Sequence, residues 1–205
     1  MQDQRRAEGE EQVWPLLSRL DPGSVCLRAR VEFDESSCCY VLPMFSGKAF
    51  VSPGDKRIRG DSVATESFLD HLPQSWRMTA LRYLVDARDV PLSGILINPR
   101  ELKSGLMFTE GTHALPFHRL VHQYANNIDG FVQRGIALGG EKLDYGDSSL
   151  RLLPFPRIPV VLIIWKADNE FPARADLLFD STCALHLATD ILWSTAMLTI
   201  LAMLG

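Results

Sequence analysis

The sequence predicts a single α+β domain built on a mixed or antiparallel sheet and closed by a buried C-terminal helix. Three observations carry that prediction. Ile158–Trp165 reads IPVVLIIW, an apolar run rich in β-branched residues, which is the pattern of a strand covered on both faces. Residues 74–87 (QSWRMTALRYLVDA) and 187–204 (LATDILWSTAMLTILAML) have helical character. Strand-like and helix-like segments follow one another without regular βαβ alternation, which points away from a doubly wound parallel sheet. A chain of 205 residues, 46% hydrophobic and 22% charged, suits one sizeable core. The expected division is a helical segment over residues 1–20 and one domain over 21–205.

Residues 3–19 mix charges with Val13, Trp14, Leu16 and Leu17, the make-up of a short amphipathic helix whose regular part Pro15 disturbs or ends. Asp21-Pro22-Gly23 marks a turn. SVCLRARVEF and CCYVLPMF carry short β-branched and aromatic runs on either side of DESS, predicting a hairpin or two neighbouring strands. A third short strand is expected near residues 49–51. In the helix over 74–87, Trp76, Ala80, Leu81, Leu84 and Val85 fall close to one face, after a proline near its start. DVPLSGILINPREL reads as a turn into a short buried strand, and SGLMFTEGTH as a loop. Residues 114–138 suit two helices broken near NNIDG, and LGGEKLDYGDSS a loop leading back to a strand. DLLFD is expected to pair with IPVVLIIW after the FPARA turn. The C-terminal apolar helix is shorter after Asp190 than the roughly 20 residues a bilayer span needs, so it is expected to be buried rather than membrane-spanning.

Net charge −4 and a pI near 5.7 give no general attraction to nucleic acid or anionic membranes. The start, MQDQRRAEGEEQVWPLL, is charged where a secretory signal needs an apolar core, so a cytoplasmic protein is expected. Cys26, Cys38, Cys39 and Cys183 form no CxxC pair, and buried or inert thiols are expected, with no iron–sulfur motif in this chain.

Candidate chemistry begins with the carboxylates that follow IPVVLIIW. Asp168, Glu170, Asp176 and Asp180, if they converged, suit a hard cation or divided acid and base roles. Against this, Asp and Asn are favoured turn residues, and Lys166 or Arg174 can neutralise a neighbour. His118 and His122 are spaced i, i+4 and would lie on one helical face as two metal ligands, with His113 a conceivable third. The sequence lacks the Glu that HExxH requires, so two partly exposed histidines without a metal are the plainer reading. His186 equally suits a hydrogen-bonded core position. No GxSxG, GxGxxG or GxxxxGK[ST] run occurs, LGGEKL reads as a helix end and turn, and Arg59-Gly60-Asp61 as a chance tripeptide.

PLSGILINPREL, LGGEKLDYGDSS and above all FPRIPVVLIIWKADNEFPARADLLFD followed by HLATDILW together resemble a bacterial and archaeal family known only as a domain of unknown function. That family is common in anaerobes and sometimes fused to a small iron–sulfur-cluster domain. The resemblance runs from about CCYVLPMF to the C-terminus, with Ala188 standing where members often have proline and no cysteine-rich segment present. It implies an intracellular protein of an anaerobe.

The leading expectation is a non-catalytic accessory or small-ligand-binding protein in anaerobic redox or one-carbon metabolism, serving a partner protein that carries the cofactor. The alternatives are a metal-assisted hydrolase or lyase using the 168–180 acids, with or without His118 and His122, and an interaction module docking through the C-terminal helix. The acidic loop is expected to be architectural, with Phe171 burying its ring, Asp168 and Glu170 at the surface, and Asp180 bonding to backbone near the strand end.

Overall fold

In the computed structural model, which describes residues 9–205, the chain enters through α1 (Glu10–Ser18) and α2 (Pro22–Ala29). Helix α1 runs through Pro15 instead of ending there. The missing N–H lies in the second turn on the exposed side, where solvent can serve the freed carbonyl, while Val13, Trp14 and Leu17 are buried. Helix α2 occupies most of what reads as the strand SVCLRARVEF. Its start outweighs the apolar pattern: Asp21 accepts the Ser24 N–H at 2.8 Å and Pro22 sits in the first turn.

Strands β1 (Glu32–Asp34), β2 (Cys39–Met44), β3 (Gly47–Ser52) and β4 (Arg57–Gly60) form an antiparallel meander. The β1–β2 hairpin across DESS and the strand over residues 49–51 are as the sequence predicts. Strand β4 and the next helix, α3 (Val63–His71), are additions; β4 buries only Ile58 between two arginines, too short a pattern to read. Ser62 starts α3 by accepting the Thr65 N–H at 3.1 Å.

Helix α4 (Ser75–Asp86) lies where predicted. Strand β5 (Leu96–Ile97) is a two-residue edge strand and half-buried, not buried. Short 3-10 turns fill residues 99–113. Helices α5 (Phe117–Tyr124) and α6 (Ile128–Ala137) break at residues 125–127, and Asn127 caps α6 by accepting the Gly130 N–H. Gly139, at φ 76°, ends α6 in a Schellman motif: Gly140 N–H donates to Gly135 O at 2.8 Å and Gly139 N–H to Ile136 O at 2.9 Å. LGGEKL is therefore a helix end, although its last residues form strand β6 (Glu141–Leu143) rather than loop.

The remaining elements are β7 (Ser148–Phe155), β8 (Ile158–Trp165), β9 (Arg174–Asp180), α7 (Cys183–His186) and α8 (Thr189–Leu204). The second sheet has the order β5-β9-β8-β7-β6 and is antiparallel throughout. Its centre is β8. Val160, Leu162 and Ile164 pair with Phe179, Leu177 and Ala175 on one side, and this face joins the main core with residues of α4, α5, α6 and α8. On the reverse face Val161 and Ile163 are buried beside their cross-strand neighbours Arg151, Leu178, Ser149 and Asp176. Both faces are thus closed to water, as the continuous apolar run implies.

Helix α8 fills the core with Ile191, Leu192, Leu198 and Ile200, and Thr195 and Thr199 return their hydroxyls to carbonyls one turn earlier. Arg134 and Tyr124 donate to the terminal carbonyls of Ala202 and Met203, satisfying groups the helix cannot satisfy itself. No helix among the described residues is long and apolar enough to cross a membrane. The meander, the five-stranded sheet and the helices share one apolar cluster, so the chain is a single α+β domain, and α1 contributes Trp14 to that cluster.

A Cβ on Gly135 would sit 2.2 Å from Leu150 Cδ1, because α6 lies close on β7. Gly135→Ala should therefore lower stability by about 1–3 kcal/mol despite alanine's better helix propensity. Gly54, with nothing within 4 Å of its added Cβ, is the control; Gly54→Ala should stay within about 0.5 kcal/mol in urea unfolding.

Candidate functional site

The four acids after β8 do not share a site. Asp168 and Glu170 are exposed, and Asp168 closes the turn by accepting the Glu170 and Phe171 N–H groups at 2.8 and 2.7 Å, which hold its carboxyl below the ordinary range. Phe171 is 58% exposed, so its ring does not pin the turn; the Asp168 bonds do. Asp176 lies mid-strand opposite Ile163, and burial raises its pKa against the opposing pull of Arg174 and Arg100. Asp180, 3% exposed, ends β9 and accepts five hydrogen bonds: Ser93 N–H and Oγ–H, Gly94 N–H, and Thr182 N–H and Oγ1–H. Burial alone would raise its pKa, but these donors outweigh burial and the net shift is downward.

His118 and His122 are both exposed on α5, while His113 sets its ring edge-on to Trp193. Among the described residues no three His, Cys, Asp or Glu side chains come together as a possible metal site. All four cysteines are free, and burial pushes the Cys183 thiol up to about 12.

What the sequence does not disclose is a buried polar node at one end of the second sheet. Arg157, in the β7–β8 turn and 2% exposed, donates to the carbonyls of Leu27, Arg28 and Val90 and to the Asp89 carboxylate. His186, 1% exposed, accepts the Arg88 N–H on Nδ1 at 3.3 Å. The neutral ring then carries its proton on Nε2, which has no hydrogen-bond partner among the described residues. Desolvation lowers the His186 pKa, and Arg157 and Arg88 add to that, with Asp180 opposing. Together Arg157, His186 and Asp180 hold the backbone of residues 88–94 from beneath, while Leu92 and Ile95 stay exposed above.

A concavity of about 150 Å³ lies elsewhere, where β4, α3 and α4 meet. Buried Ile58, Leu69, Leu72 and Trp76 give it an apolar floor; Glu66, Asp70 and Gln74 form a more exposed polar rim. Arg77, also in the wall, donates through Nε and Nη2 to both oxygens of fully buried Glu10 at 3.2 and 3.1 Å. Trp14 Nε1–H reaches the same carboxylate at 3.1 Å. This bidentate pair spends the Arg77 charge inside the protein and fastens α1 to α4. A second, broader hollow of about 460 Å³ is lined by residues 125–129 and Lys166, so nearly all of its wall is one turn. The first cleft draws on three elements and combines an aromatic wall with polar groups, the usual composition of a small-molecule site.

The family model described as domain of unknown function (DUF3786) matches residues 21–202, and the chain belongs to that family. The match begins earlier than the CCYVLPMF strand and takes in α2. No curated protein and no solved structure matches the chain.

Asp180→Ala should destabilise the protein by at least about 3 kcal/mol, because several buried donors lose their acceptor at once. Asp168→Ala and Glu170→Ala should each cost clearly less, as loss of a turn cap or of a surface group. Urea unfolding of the three variants gives the order; an Asp180 variant as stable as the other two would contradict the burial argument.

The His186 shift has its own sign. A folded-state pKa below the ordinary 6.5 means the unfolded chain takes up the proton first. The stability due to neutral His186 is complete above that value and is lost as pH falls through the lowered one. Unfolding free energy should therefore drop on mild acidification, and His186→Gln should flatten that drop.

Proposed function

We propose that this DUF3786 protein is a non-catalytic accessory protein that binds a small ligand in the cleft between β4, α3 and α4. The observation that carries the reading is the combination in that cleft of an apolar floor, the Trp76 ring and a polar rim on a wall fixed by the buried Glu10–Arg77 pair. A site braced in this way loses little side-chain entropy when a ligand enters.

In the same reading the protein works in the cytoplasm and docks on a partner that carries a redox or one-carbon cofactor. The docking half is supported by the surface around residues 88–95. Ile95 is 64% exposed, Leu92 is exposed with it, and the backbone beneath them is fixed by Asp180 and Arg157. Apolar side chains held out on a fixed backbone suit an interface whose ordering cost is already met. The anaerobic metabolic setting extends from the resemblance in the β8–β9 tract.

The test is native mass spectrometry of the full chain incubated with a cell extract, compared with Gln74→Trp, which fills the cleft from its exposed rim. A stoichiometric low-mass adduct on the wild type and its loss from the variant, at unchanged melting temperature, are expected. A ligand at a hundredfold its Kd should also stabilise the wild type by about 2.7 kcal/mol. An adduct retained by Gln74→Trp, or none on either protein, would overturn the reading.

A further inference from the structure

We infer that the cleft selects a small organic cation: a compact amine with an apolar body. This inference rests on the ligand-binding reading above and adds the charge class of the ligand.

The argument is one of local charge. Two carboxylates, Glu66 and Asp70, stand at the rim. Among the described residues neither takes part in an ion pair. Glu66 uses Oε2 to accept the Gly60 N–H, which holds its side chain at the mouth of the cleft. The single cation in the wall among the described residues, Arg77, has both carboxylate oxygens of Glu10 on its Nε and Nη2. Its charge is matched inside the protein, so among the described residues that line the cleft an entering molecule meets two carboxylates and no unmatched cation. An anion would meet like charge at the rim, whereas an ammonium gains from both carboxylates before it is fully desolvated.

The apolar part gives the same answer. Trp76, 6% exposed, is one of the residues lining the cleft, and an indole ring attracts cations more strongly than other aromatic rings do. Arg77 Cζ lies over the Trp76 ring, 5.9 Å from its centroid, at the outer limit of that interaction. Ile58, Leu69 and Leu72 then take the hydrocarbon part of the ligand. Size restricts the class further. At about 150 Å³ the cleft is well below the roughly 300–1,000 Å³ of sites for drug-sized molecules, so one ring or a short alkyl chain is the limit.

Three compounds of one shape separate charge from fit: benzylamine, benzyl alcohol and benzoate. Binding to the full chain is read by isothermal titration and by the Trp76 indole N–H resonance, assigned from its absence in Trp76→Phe. Benzylamine should bind with one-to-one stoichiometry, shift the Trp76 resonance, and bind at least about tenfold more tightly than benzyl alcohol or benzoate. Asp70→Asn, a change at an exposed residue, should weaken benzylamine several-fold and leave benzyl alcohol unaffected. If benzyl alcohol or benzoate binds the cleft as well as benzylamine does, the cation inference fails while the ligand-binding reading stands. If no compound moves the Trp76 resonance, both fail. If benzylamine binds but Asp70→Asn and Glu66→Gln leave its affinity unchanged, the rim carboxylates are not the recognition groups and the inference is overturned.

Discussion

The Arg157 guanidinium must satisfy its donors without water, and much of the architecture follows from how it does so. An ionised group this buried costs several kcal/mol unless its hydrogen bonds are met. They are met by the last turn of α2, through Leu27 and Arg28, and by the stretch after α4, through Asp89 and Val90. Those α2 carbonyls have no partners within their own helix, so the arginine and the helix end satisfy each other. Tyr83 extends the joint: its hydroxyl accepts the Arg157 N–H and donates to the Ala29 carbonyl. One turn of the second sheet thereby fixes α2, α4 and the chain that leaves α4.

A buried ion pair plays the corresponding part at the N-terminal end of α4. Glu10 and Arg77 are both nearly dry, and each would be costly to bury alone. Their pairing decides which face of α1 meets α4, a matter that Val13, Trp14 and Leu17 by themselves leave open to sliding. It also sets the wall of the cleft. The consequence for function is that the cleft and the exposed stretch at residues 88–95 are both mounted on α4 and its continuation, each held by a buried charge. Binding at either place starts from an ordered backbone.

The carboxylates of the β8–β9 region show how one residue type takes different roles by environment. Asp168 is exposed and organises a turn; Asp176 is half-buried on a strand; Asp180 is buried under five donors. Their pKa shifts differ in sign because burial and hydrogen bonding oppose one another, and only for Asp176 does burial prevail. Spacing along the chain carries no information about that balance.

The elements legible in the amino-acid sequence are those whose signal is local or repeats. IPVVLIIW declares a strand closed on both faces, LATDILWSTAMLTILAML a buried helix, QSWRMTALRYLVDA the helix that carries Trp76, and NNIDG the break between α5 and α6. Short elements escaped: α2 was masked by β-branched neighbours of its capping signal, and β4 offers a single buried residue. Phe171 shows the limit for side chains, since an aromatic beside a proline in a turn reads as an anchor and here faces solvent. The sequence by itself determined the α+β class, the central strand and the buried C-terminal helix, because periodicity and apolar runs are properties of neighbouring residues. Only the tertiary structure decided which charges are buried together and where a cleft opens. Glu10 and Arg77 are 67 positions apart, and Arg157 meets Leu27 across 130, so nothing local marks either pair before the chain has folded.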